Sequence, residues 1–101
     1  MHLVEVFLPL RFPDGKAVPE SLFALVQAEL TDRFGGVTLY ARSPADGVWK
    51  NSGGVTEDVL VVLEVMTTKL DRHWWRDFRR RGEALFRQDE LVVRSTRIDR
   101  L

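Results

Sequence analysis

The side chains able to do chemistry in this 101-residue chain fall into two groups. Glu5, Tyr40, Arg42 and Glu64 stand on three segments of alternating polarity, in the phase that sets them on one sheet face. That set holds two carboxylates, a phenol and a guanidinium. In a cleft, Glu5 or Glu64 would act as a general base and Tyr40 as a hydrogen-bond donor. Arg42 or Arg94 would hold an anionic or carbonyl-bearing ligand. The second group is the run Asp71-Arg72-His73-Trp74-Trp75-Arg76-Asp77-Phe78-Arg79-Arg80-Arg81. At helical spacing Arg72, Arg76, Arg79, Arg80 and Arg87 lie mostly opposite the aromatic side. They read as a basic patch for nucleic acid, a nucleotide or an acidic partner. They read equally as a solvated face held by i,i+4 pairs: Asp77 with Arg81, Arg79 with Glu83, Glu83 with Arg87. Fifteen basic residues balance fifteen acidic ones, which favours the solvated face and ranks nucleic-acid binding low.

Trp49 is a further candidate, placed between a turn and a glycine-containing loop. Half-exposed, it would mark a binding surface; packing over a sheet edge is the preferred reading. Trp74 is read as core and Trp75 as the edge of the same stripe. The chain has no cysteine, which removes disulfides, thiolate metal sites and cysteine nucleophiles. His2 and His73 are the only histidines, and neither has a second ligand at metal spacing. No metal and no cofactor is expected. Asn51-Ser52-Gly53-Gly54 lacks the lysine of a phosphate-binding loop and reads as a hairpin turn. Gln88-Asp89-Glu90 reads as a polar helix-to-strand turn.

The elements that must position these residues follow from periodicity. Alternation predicts strands over residues 2–8, 37–42, 55–66 and 91–98. Residues 55–66 are apolar on both faces, as a central strand requires. Leu22, Phe23, Val26, Leu30 and Phe34 make one stripe of a helix over residues 20–34, with Pro19 at its start and Gly35-Gly36 as its stop. A second helix over residues 71–88 starts at Asp71 and carries Gly82 on its apolar face, allowing close approach to the sheet. Pro13-Asp14-Gly15 and residues 43–47 are turns, with Val48 and Trp49 continuing a strand or starting a loop.

The order β-α-β-β-α-β predicts one ferredoxin-like α+β domain over residues 1–101. Its four-stranded antiparallel sheet carries both helices on one face, with the first and third strands as the central pair. The other face then carries Leu3, Glu5, Phe7, Thr38, Tyr40, Arg42, Leu60, Val62, Glu64 and Met66. The last strand adds either Val92 and Arg94 or their neighbours. Such a face is too apolar for a comfortable solvent face and too charged to bury without partners.

Several segments resemble a family of small uncharacterised bacterial proteins known only as a domain of unknown function. They are Thr31-Asp32-Arg33-Phe34-Gly35-Gly36-Val37-Thr38, Gly47-Val48-Trp49, Glu57, and Leu85-Phe86-Arg87-Gln88-Asp89-Glu90-Leu91-Val92-Val93. With the flanking segments the resemblance covers residues 12–98. It implies a ferredoxin-like fold and no activity. Many members carry an export signal. Here Glu5 breaks the first apolar run, and Pro9 and Arg11 end it, so the cytoplasm is the expected location.

No reaction is specified by these residues. The preferred expectation is a cytoplasmic homodimeric binding module assembled through the open sheet face, its charges paired across strands and interface. The alternative is a small-molecule-binding protein or enzyme with a cleft on that face. Nucleic-acid binding through the arginine-rich helix comes last.

Overall fold

The computed structural model describes residues 1–42, 49–51, 54–56 and 60–101, with side chains for 1–40 and 60–101. The turn expected at 43–47, Val48, the tip Ser52-Gly53, and Glu57 to Val59 lie outside the described residues. The elements are β1 (His2–Pro9), α1 (Glu20–Phe34), β2 (Thr38–Arg42), β3 (Trp49–Asn51), β4 (Gly54–Thr56), β5 (Leu60–Thr67), α2 (Arg72–Leu85) and β6 (Val93–Arg97). The main sheet runs β2-β5-β1-β6 with every neighbouring pair antiparallel. This is the ferredoxin-like α+β arrangement, and its central pair is β1 with β5.

Residues 55–66 are not one strand of the main sheet. Gly54–Thr56 pairs instead with Trp49–Asn51 in a separate two-stranded ladder. The alternating apolar pattern that joins them in sequence carries no information about which partner each half finds.

Val4, Val6 and Leu8 of β1 and Val61, Leu63 and Val65 of β5 are buried in one core with Val26 and Leu30 of α1 and Trp75 and Phe78 of α2. Both helices therefore cover the same sheet face. Aromatic side chains join them: Phe34 stacks on Trp75 at 5.2 Å and meets Trp74 edge-on at the same distance. Trp75, not Trp74, is the core member of the pair: it is 6% exposed, while Trp74 is partly buried. Trp74 instead lies beneath the Arg33 guanidinium, 4.4 Å from its ring centre. Adjacent helical residues diverge by about 100°, so a small rotation of the helix decides which one faces the sheet.

Pro19 sits at the N-cap of α1, where its fixed φ of −62° fits and its missing N–H costs nothing. Gly35, at φ 82°, stops the helix and donates its N–H to the Thr31 carbonyl. Asp71 caps α2 by accepting the Trp74 N–H at 3.0 Å. That helix ends at Leu85, three residues short of the expected end. Arg87 takes the left-handed conformation at φ 53°, Gln88 donates to the Glu83 carbonyl, and Arg87 donates to that of Ala84. This is a Schellman stop without glycine. β6 likewise starts later than the alternation suggests. Leu91 is diverted into the core, and only its neighbour Val92 reaches β1, accepting the Phe7 N–H through its carbonyl.

Candidate functional site

The open sheet face is built in rows across the strands. One row is Thr38, Glu64, Glu5 and Arg94, each the direct register partner of the next. On one side lies Tyr40, Val62 and Phe7, and on the other Met66, Leu3 and Thr96. The register thus resolves the phase of the last strand: Arg94 and Thr96 face outward, Val93 and Ser95 toward the helices.

The charged row has internal partners. Arg94 Nε donates to Glu5 Oε1 at 2.9 Å, and its guanidinium lies 4.8 Å from the Phe7 ring centre. The Glu5 side chain is only 15% exposed, so this pair compensates a carboxylate largely withdrawn from water. A side-chain hydrogen bond to Glu64, and then that carboxylate's charge, hold the Tyr40 phenol above its ordinary value of 10.0. Apolar surface surrounds these groups. Val62 is 2% exposed although it points away from the helices, because its row neighbours cover it; Met66 and Tyr40 are 51% and 48% exposed.

Of the residues the sequence nominates, Glu5, Glu64 and Tyr40 come together here. The backbone of Arg42 pairs with Leu60, in the phase of this face, and Trp49 lies in β3 opposite Thr56. The side chains of Arg42 and Trp49 lie outside the described residues. Among the described residues, no group of three His, Cys, Asp or Glu side chains is placed to hold a metal ion.

The arginine-rich helix makes only part of the local pairing expected of a solvated face. Of the three expected i,i+4 pairs only Asp77–Arg81 forms, at 3.0 Å, and Arg81 reaches further to Glu29 of α1 at 2.7 Å. Glu83 turns away from Arg79 and Arg87 to accept the Leu91 N–H at 3.0 Å. The carboxylate is thus taken by a part-buried backbone donor, which would cost more to leave unpaired than a guanidinium pairing near the surface is worth. Arg87 packs over Phe12, 4.4 Å from the ring centre, and meets Asp14 at 3.8 Å.

Two cavities lie on the helix side. One, of about 230 Å³, opens between α2 and β6 and is lined by Arg72, Trp75, Arg76, Arg79, Val93 and Ser95 among others. The other, of about 210 Å³, lies between α1 and α2 and is mostly apolar, with Leu25, Phe78 and Leu85 in its wall. The first also touches Arg94, at the edge of the sheet, and the second has no residue of the open face in its wall. Helical periodicity sets Arg72, Arg76 and Arg79 mostly opposite the aromatics. The structure sets them beside Trp75, a closeness legible only as the i, i+4, i+7 spacing of the three arginines.

No family model matches the chain, and no curated protein does. Solved structures do. The chain is similar to a phage SAM lyase in complex with S-methyl-5'-thioadenosine, with a TM-score of 0.67 and 14% identity over 94% of this chain and 79% of that one. It is also similar to CutA1 from Pyrococcus horikoshii, with a TM-score of 0.60 and 20% identity over all of this chain and 86% of that one. At these identities the likeness shows the fold.

Proposed function

We propose that this chain is a one-domain cytoplasmic binding module that forms a homodimer through its open sheet face. The observation that carries this reading is the row order of that face. An apolar row, a charged row with internal partners and a second apolar row stand side by side. A second copy can cover the apolar rows while Arg94 and Tyr40 keep the two carboxylates partnered. The resemblance to small uncharacterised bacterial proteins fits such a module and adds no activity.

Native mass spectrometry of protein purified without ligand tests this reading. A dimer is expected, and Met66→Glu, which puts a charge in the apolar row, should convert it to monomer while circular dichroism stays unchanged. A monomeric wild type overturns the reading.

A second reading is a small-molecule cleft on the same face, built from Glu5, Tyr40, Arg42 and Glu64 with Trp49 nearby. The phage lyase of similar fold, solved with S-methyl-5'-thioadenosine, favours it. Extra mass retained by the dimer would support it. Arg42→Ala should then abolish binding and leave the dimer intact, whereas an assembly role for Arg42 requires that the dimer weaken.

A further inference from the structure

We propose that the cleft between α2 and β6 binds the phosphate group of a small molecule. Arg72, Arg76 and Arg79 fall at i, i+4 and i+7, so their side chains line one side of α2 and reach the same 230 Å³ cavity. Ser95, on the helix side of β6, lines it from across. None of the cavity's lining residues is acidic, and none of these three arginines takes part in an ion pair among the described residues. Two donors at this place are buried and without a partner: the indole Nε1 of Trp75, on a side chain more than nine-tenths buried, and Nε of Arg79. Native structures rarely leave such donors unpaired. A tetrahedral oxyanion in the cleft would be met by the guanidinium groups, which match its oxygens in pairs, beside the Trp75 indole that lines the same cleft. Arg94 also lines the cleft, but its guanidinium is held by the Glu5 carboxylate on the open sheet face, which leaves Arg72, Arg76 and Arg79 as the cations free to serve the cleft among the described residues.

The test follows the indole N–H of Trp75 by 15N-edited NMR while inorganic phosphate is added to the whole protein at constant ionic strength. Trp75→Phe assigns the resonance. A saturable downfield shift is expected, and Arg76→Gln, an exposed change, should weaken it by about tenfold. A nucleoside monophosphate run in parallel separates the sources. Tighter binding of the monophosphate identifies a phosphate ester as the ligand; equal binding identifies the free ion. Either result upholds the phosphate site. The proposal fails if the Trp75 resonance does not move, if chloride moves it equally, if citrate binds better than phosphate, or if Arg76→Gln leaves the titration unchanged. A single-stranded oligonucleotide that binds while inorganic phosphate does not would also overturn it, in favour of a nucleic-acid surface.

Discussion

Glu5 and Glu64 are direct register partners on the two central strands, and their side chains share the open face of the sheet. Like charges placed opposite each other destabilise an antiparallel pair. The arrangement persists because each carboxylate leans on a different neighbour, Glu5 on Arg94 and Glu64 on Tyr40. The face is a chain of linked pairs, so a change at either end should be felt at the other.

Arg94→Ala leaves Glu5 facing Glu64 with its cation removed. A loss of about 1 kcal/mol is expected, from the ion pair and from the contact with Phe7. Glu64→Gln should recover part of that loss in the double variant and little in the wild type. Urea denaturation of the four proteins gives the coupling, and strict additivity would show that the two carboxylates do not interact.

Tyr40 is the chain's one tyrosine, so ultraviolet absorbance of tyrosinate reports on it alone. Its midpoint should lie above 10, and Glu64→Ala should return it toward the ordinary value. The linkage has a definite sign. The folded value is raised, so the contribution to stability is complete below about pH 10 and is lost as pH climbs through the folded value. Thermal melts between pH 8 and 11 should show wild type losing stability in that window more steeply than Glu64→Ala.

Glu83→Ala removes the partner of the buried Leu91 N–H. A cost of about 1–3 kcal/mol is expected, with Glu83→Gln retaining most of the stability because its amide oxygen also accepts. Equal losses in both variants, measured by denaturant unfolding, would mean that charge and not acceptance matters at this site.

A Cβ added at Gly82 would stand 2.9 Å from Leu91 Cδ1, so that close approach is to the segment before β6 and not to the sheet proper. Gly82→Ala gains about 1 kcal/mol of helix propensity and displaces a flexible methyl, leaving a net change within about 1 kcal/mol. Gly82→Val, branched against the same buried leucine, should lose about 1–3 kcal/mol. The difference in melting temperature between the two variants measures the tightness of that contact.

The left-handed Arg87 offers a test of opposite sign. Glycine at that position relieves a conformational cost of about 1–2 kcal/mol, while the contact with Phe12 is lost. Arg87→Gly should therefore be neutral or stabilising by up to about 1 kcal/mol, and Arg87→Ala destabilising, as read from thermal melts.

The order of elements read from the sequence implied the central β1–β5 pair, and the pattern of residues by itself determined the two helices and the outward phase of Glu5, Tyr40 and Glu64. The helices and that phase follow from local periodicity and from capping by Asp71 and Gly35, which need no distant partner. Tertiary structure decided what periodicity leaves open. It chose Trp75 over Trp74 for the core and placed Gly54–Thr56 and Leu60–Thr67 in two different ladders. It turned Glu83 to Leu91 and brought Arg72, Arg76 and Arg79 around an unpartnered indole. In each case two local arrangements are close in energy, and the deciding interaction comes from a residue remote in sequence or space: the sheet beneath the helix, the opposing strand, the Leu91 N–H.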